Sequence, residues 1–144
     1  MKCAQWVLPI MSFLILLGSA QKSFATDIDL ALIPPYVSNG LQAYANEGYE
    51  AAVHVWLADS PYKNATTLAS NIAFFKNIEK LAGNYQSYTV LMTKQTISSN
   101  VVYVRMNYAR LPGYVLFTSL KRNDKWVLGK VQLDRLQRFG GLVQ

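Results

Sequence analysis

The fold is decided by residues Tyr85–Leu133, which read YQSYTVLMTKQTISSNVVYVRMNYARLPGYVLFTSLKRNDKWVLGKVQL. Val, Thr, Tyr, Ile and Phe dominate this stretch, a composition that is typical of strands with a half-buried surface. Three short breaks of turn-forming residues divide it into four segments. We therefore predict four consecutive antiparallel strands, with apolar side chains on both faces of the third and a bulge or bend at Gly129 in the fourth. The segments are Tyr85–Ile97, Val101–Arg110, Tyr114–Lys121 and Lys125–Leu133.

Three amphipathic helices are predicted before these strands, because apolar residues recur there at helical spacing. Pro34-Pro35 suits the first turn of the first helix, and Gly48 and Gly83 are typical of helix ends. Thr66 or Thr67 is expected to cap the third helix, since its hydroxyl can accept a hydrogen bond from a backbone N–H. The predicted helices cover Tyr36–Asn46, Tyr49–Leu57 and Leu68–Ala82.

The first 25 residues are predicted to be a secretory signal peptide. Lys2 supplies the positive start, and small residues precede a cut after Ala25, with a cut after Ala20 as the alternative. The apolar run of about 14 residues is shorter than the roughly 20 that a membrane-spanning helix needs. We expect export to the bacterial periplasm or medium, without stable membrane insertion after cleavage; an uncleaved anchor is the other possibility.

The remaining chain is predicted to form one domain. Residues 26–34 are expected to be an extended lead-in, residues 35–136 the α+β domain, and residues 137–144 a flexible tail. Cys3 is the only cysteine and lies in the predicted signal, so the domain has no disulfide. The formal net charge of the chain is +6. A nucleic-acid partner is not expected for an exported protein, so the basic groups after Lys121 indicate a solvated surface or an anionic envelope partner.

This layout resembles the NTF2-like (cystatin-like) α+β roll, and especially small exported bacterial members of undefined function. The resemblance is carried by the helix–turn–helix sequence from Asn46 to Ala52, by Trp56 and by the closing hairpin Leu120–Gly129, and it covers Pro35–Leu133. It implies three N-terminal helices packed on the concave face of a curved four-stranded antiparallel sheet. It also implies a cone between helices and sheet, which members use for catalysis, for ligand binding or not at all.

The catalytic residues of similar enzymes cannot be carried over to this chain. Such enzymes use Asp with Tyr, or Asp-Arg-Asp, on the inner sheet face, whereas the only acidic residue between Tyr85 and Leu133 is Asp124, in a turn. His54, the only histidine, follows Glu50 by one helical turn, so the two are weak candidates for a base and its orienting carboxylate. One histidine and scattered carboxylates predict no metal site, and no cofactor motif is present.

Aromatic and sulfur-containing side chains are the better candidates for a ligand pocket inside the cone, although the same groups could simply fill a core. Arg105 and the tyrosine hydroxyls would supply its polar groups. The pocket candidates are Tyr44, Trp56, Tyr88, Met92, Tyr103, Arg105, Met106, Tyr108, Phe117 and Trp126.

Three functions follow from these patterns. The first is an exported non-enzymatic domain that binds a partner protein or a small apolar ligand. The second is a structural subunit, either a homodimer or part of an envelope assembly, joined through the outer face of the sheet. The third is a lyase, isomerase or hydrolase with a pocket near His54. The missing catalytic set favours the first.

Overall fold

A computed structural model of the chain describes residues 28–133. The predicted signal peptide and tail, together with residues 26, 27 and 134–136, lie outside that range. Within it, three helices precede four strands, so the predicted α+β architecture is confirmed. The elements are α1 Pro35–Glu47, α2 Tyr49–Trp56, α3 Ala65–Ala82, β1 Tyr85–Gln95, β2 Ser99–Tyr108, β3 Pro112–Arg122 and β4 Lys125–Leu133.

Proline and glycine set the helix limits as predicted. Pro35 occupies the first turn of α1, where its missing N–H costs no hydrogen bond. Gly48 lies between α1 and α2 with φ 94°, and Gly83 ends α3 with φ 87°. Both values lie in the left-handed region, which glycine enters without a steric penalty.

The predicted cap of α3 is wrong. The capping residue is Asn64, whose side-chain oxygen accepts a hydrogen bond of 2.8 Å from the N–H of Thr67. Asn64 has an extended backbone and is the stronger capping type, so the helix begins at Ala65, before either predicted threonine cap.

The lead-in is not simply extended. Leu30–Leu32 form one 3-10 turn, because the carboxylate of Asp29 accepts a hydrogen bond from the N–H of Ala31 at 2.9 Å. The side-chain amide of the buried Asn100 donates to the carbonyl of Leu32 at 2.7 Å. This bond fastens the lead-in to the start of β2.

The sheet has the strand order β1-β2-β3-β4, and every neighbouring pair is antiparallel. One face of it, which we call the inner face, packs against the helices, and the other is the outer face. Leu91 is an extra residue in β1, since Val90 pairs with Val104 and Met92 with Tyr103. Gly129 is likewise extra in β4, so the bulge predicted there is confirmed. Each bulge moves the side chains beyond it to the opposite face.

The core lies between the inner face and the helices. Among residues 28–133, apart from tyrosines and Trp56, the only buried polar side chains are Ser60, Asn100 and Ser119. No helix in the same range has the length and apolar character needed to span a bilayer. The largest fully buried apolar side chains come from all three helices and from strands β2 and β3. They are Val37, Leu41, Val53, Phe75, Val102, Val104, Met106, Val115 and Phe117.

Gly40 makes the close approach of α1 and α2 possible. It is buried, and a Cβ atom at this position would overlap the indole ring of Trp56. The Trp56 Nε1–H donates to the carbonyl of Val37 at 3.3 Å, which holds the ring against the α1 backbone.

We expect Gly40→Ala to lower the free energy of unfolding by about 1–3 kcal/mol, because the added methyl group overpacks this contact. At an exposed helix position the same change raises the free energy of unfolding by about 1 kcal/mol. A decrease therefore indicates that the added methyl group meets the Trp56 ring. Urea unfolding measures it, and Asn39→Ala, at the exposed preceding position, is the control. A Gly40→Ala protein as stable as that control would contradict the close approach.

Candidate functional site

The proposed acid–base pair lies on the surface. Glu50 and His54 are both exposed on α2, whereas the buried residues of this helix are Ala52, Val53 and Trp56. A base needs a substrate site within hydrogen-bond reach, whereas the side of α2 that packs into the protein is the one opposite Glu50 and His54. In the part of the chain that the structure describes, no group of three His, Cys, Asp or Glu side chains could hold a metal ion.

The ten pocket candidates do not share one site. Met92, Tyr103 and Arg105 lie on the outer face, so they cannot line the cone. Tyr88 and Trp126 lie towards the ends of the sheet, where Tyr88 is exposed and Trp126 half-buried. The other five are buried in the core: Tyr44, Trp56, Met106, Tyr108 and Phe117.

Two features of the strands explain this division. In β2, Tyr103 and Arg105 alternate with Val102, Val104 and Met106, and only the latter three belong to the core cluster. In β1, the bulge at Leu91 turns Met92 to the face opposite Val90. A perfect alternation would have kept these two residues on the same side.

Aromatic rings fill the space between helices and sheet. The centroid of the Tyr44 ring is 4.5 Å from that of Tyr85 and 5.8 Å from that of Phe75. The Trp56 centroid is 5.0 Å from those of both Phe75 and Phe117. Such separations are those of rings in direct contact. Of the ten candidates, those that lie inside the cone therefore form its core packing.

Two of these rings, Tyr85 and Phe75, were not among the sequence candidates. Phe75 belongs to the apolar stripe of the third helix, and Tyr85 is the first strand residue after Gly83-Asn84. Both signals were present in the sequence, but neither showed that the two rings would meet Tyr44.

Tyrosine hydroxyls form the polar part of this cluster. The Tyr44 and Tyr108 hydroxyl oxygens are 3.4 Å apart, and the Tyr108 hydroxyl donates to the Met106 sulfur at 3.7 Å. Burial raises the pKa of Tyr44 and of Tyr108, and the nearby Glu79 carboxylate adds to both shifts. Burial also raises the pKa of Tyr85 to about 12. At neutral pH these phenols stay protonated, so they can form hydrogen bonds but are poor general bases.

One hydroxyl of the cluster has no partner among the described residues. The Tyr85 hydroxyl oxygen is buried and makes no hydrogen bond in residues 28–133. The Tyr36 hydroxyl, in contrast, is bonded to the Ser119 hydroxyl at 2.7 Å, and burial raises the pKa of Tyr36 to about 12. The two tyrosines therefore make opposite contributions to the free energy of folding.

Comparison with known proteins supports the fold. A DUF4783 family protein from Bacteroides uniformis is similar with a TM-score of 0.50 and 20% identity, over 70% of this chain and 95% of that one. A Campylobacter jejuni protein described as an NTF2-like transpeptidase is similar with a TM-score of 0.47 and 13% identity, over 62% of this chain and 90% of that one. No protein-family profile and no curated protein sequence matches the chain.

At these identities the likeness concerns the fold alone, and a fold hosts many functions. Three helices on a four-stranded antiparallel sheet give this chain an α+β fold that is similar to the fold of the Bacteroides uniformis protein.

We expect Tyr85→Phe to raise the free energy of unfolding by about 1 kcal/mol, because it removes a buried hydroxyl that lacks a partner. Tyr36→Phe is the matched control, and it should lower that free energy by about 1–3 kcal/mol, since it leaves the Ser119 hydroxyl buried and unpaired. Urea unfolding at pH 7 measures both. A Tyr85→Phe protein less stable than the wild type would show that the hydroxyl is satisfied.

Proposed function

We propose that the chain is an exported, non-enzymatic domain that binds a partner protein. The observation that carries the proposal is the composition of the interior. In residues 28–133 no Asp, Glu, His, Lys or Arg residue is buried as a whole, although the Arg105 Nε atom is buried and the half-buried Glu79 lies near Tyr44 and Tyr108. The phenols that are buried have raised pKa values. Acid–base catalysis at neutral pH uses a group that titrates near pH 7 and lies against its substrate.

Export is proposed from the first 25 residues of the sequence. A basic start, an apolar segment and small residues before Ala25 are the three parts of a secretory signal. The periplasm or the medium is then the place where a partner is met.

A protein partner fits the structure better than a small apolar ligand does. An apolar ligand in the cone would have to displace rings that already touch, such as Trp56 and Phe117, whose centroids are 5.0 Å apart. A protein partner needs only an exposed surface, and one end of the domain offers a suitable one.

This surface, which we call the leucine patch, consists of Leu81 and Leu111, whose exposed fractions are 74% and 59%. The Leu111 N–H donates to the carbonyl of Ala82 at 3.4 Å, so the two leucines come from adjoining segments. The Arg110 guanidinium donates to the backbone carbonyl of Lys80 at 2.9 Å, so one cationic side chain lies beside the patch, and Lys80 is the exposed residue next to Leu81 in α3. Apolar groups flanked by cations fit a partner with an apolar side chain next to acidic residues.

A photo-cross-linking residue at Leu111 should give one dominant adduct with a foreign protein in cells of the source organism. Ile97 is the control position, because it is 95% exposed and apolar but lies in the β1–β2 turn at the other end of the sheet. Mass spectrometry identifies the adducts, and Leu81→Asp should remove the Leu111 adduct by placing an acidic group in the patch. The intact mass of the exported protein checks cleavage after Ala25.

Equal, unselective cross-linking from positions 97 and 111 would contradict the leucine patch as the binding surface. Reproducible turnover by the purified protein that vanished in His54→Ala or Glu50→Ala would contradict the non-enzymatic role.

Strand β3 favours a second candidate function, a homodimer or a subunit of an envelope assembly joined through the outer face. Val115 and Phe117 are buried on the inner face, while Tyr114 and Leu116 are only half-buried on the outer face. Strands that are apolar on both sides are typical of sheets covered on both sides.

If the outer face joins two copies, sedimentation velocity should show a dimer whose population increases with protein concentration. Leu116→Glu should shift it to the monomer, because the carboxylate would be desolvated at the contact. Ile97→Glu, at an exposed turn, is the control. A wild-type protein that stays monomeric at high concentration would contradict self-association.

A further inference from the structure

A polar cleft lies where the β3–β4 hairpin meets the loop between α2 and α3. Its volume is about 280 Å³. We call it the hairpin cleft, and its lining residues are Asp59, Arg122, Asn123, Lys125 and Val127. It lies at the end of the sheet opposite the β2–β3 turn, and therefore away from the leucine patch.

Both walls of the cleft are fixed by local structure. On the loop side, the buried Ser60 hydroxyl donates to the Leu128 carbonyl at 2.7 Å and accepts from the Tyr62 N–H at 3.2 Å. On the hairpin side, Asn123 and Asp124 have φ values of 47° and 59°. Two successive left-handed residues form the tight turn that matches the twist of an antiparallel pair, and Asn and Asp adopt this conformation readily.

The charges that line the cleft form no ion pair with a described residue. Arg122 and Lys125 are cross-strand partners at the end of the hairpin, so two cations face each other there. Like charges at such positions repel and destabilise the pairing. The only ion pair in residues 28–133 joins Lys121 to Asp124 at 3.8 Å, so neither Arg122 nor Lys125 has a carboxylate of this range within ion-pair distance.

Asp59 adds one acidic group to the same cleft. It is exposed, and it forms no ion pair with a described residue. The cleft therefore presents two cations, one carboxylate and the Asn123 amide around the buried side chain of Val127. The formal charge of the cleft is therefore positive. Its cations belong to the hairpin, and its one carboxylate, that of Asp59, belongs to the loop between α2 and α3.

We propose that the hairpin cleft binds a small phosphorylated amine. The phosphate lies between Arg122 and Lys125, because the guanidinium fork matches phosphate oxygens and the bound anion relieves the repulsion between the two cations. The ammonium group of the ligand pairs with Asp59. Ligand pockets for drug-sized molecules measure about 300–1,000 Å³, so a cleft of this size suits a ligand of few atoms.

A phosphorylated amine can be a free phosphate monoester or the headgroup of a lipid. The two sources share the recognised chemistry, a phosphate with an amine a short chain away. Their surroundings differ, since only a lipid brings a membrane surface with it.

Titration of the ¹⁵N-labelled protein with O-phosphoethanolamine, followed by amide chemical shifts, tests the site. We expect saturable shifts at residues 122–125 and at Asp59. Arg122→Gln and Lys125→Gln should each weaken binding by about tenfold, as is typical for loss of one charge-assisted contact. Lys94→Gln is the control, because Lys94 is an exposed lysine on β1, at the other edge of the sheet, and should leave the affinity unchanged.

Asp59→Asn distinguishes recognition of the amine from recognition of the phosphate. It should weaken O-phosphoethanolamine by about tenfold while leaving inorganic phosphate unchanged or tighter, since the neutral side chain no longer repels the anion. If the wild-type protein floats with phosphatidylethanolamine vesicles and the Arg122→Gln protein does not, the ligand is a lipid headgroup. If the protein binds O-phosphoethanolamine but does not float with the vesicles, the ligand is a free phosphate monoester.

Three results would overturn the proposal. The first is the absence of saturable shifts with either phosphate probe. The second is an Arg122→Gln protein that binds as tightly as the wild type. The third is a Lys94→Gln protein that loses as much affinity as the cleft variants, which would indicate only a general attraction of anions to a basic protein.

Discussion

The contact of Trp56 with the backbone of α1 is the constraint on which the rest of the structure depends. Because Gly40 has no side chain, the indole lies against α1 and donates its N–H to the Val37 carbonyl. The other side of the ring meets Phe75 and Phe117, which connects α2 to α3 and to the sheet in one aromatic cluster. A single side chain of α2 thus contacts α1, α3 and the sheet.

A filled interior decides where function can lie. Here the inner face carries Val104, Met106, Val115 and Phe117, and the rings of the helices occupy the space above them. Close-packed interiors do not admit another molecule without loss of these contacts. Binding is therefore expected at the two ends of the domain, where turns bring charged side chains together.

The sequence predicted the fold because local signals and the global fold agree at most positions. Pro35, Gly48, Gly83 and Gly129 each mark an element boundary or a bulge that the structure contains. The errors came from competition between signals of similar strength. Asn64 comes shortly before two threonines that could also cap a helix. Asp29 caps a 3-10 turn in the lead-in, a short segment with no periodic pattern that would predict it.

The candidate sites were harder to predict, because they depend on which face and which neighbour each side chain receives. One bulge, at Leu91, is sufficient to move Met92 out of the cone, and no residue type in β1 predicts this bulge. The hairpin cleft was missed for a different reason. The basic residues after Lys121 indicated a charged surface, but the contribution of Asp59 depends on the Ser60 hydroxyl, which binds its loop to the edge of β4. The Ser60 hydroxyl donates to the Leu128 carbonyl, which belongs to the edge strand β4. The same hydrogen bond therefore covers part of the sheet edge and holds the loop wall of the cleft in place.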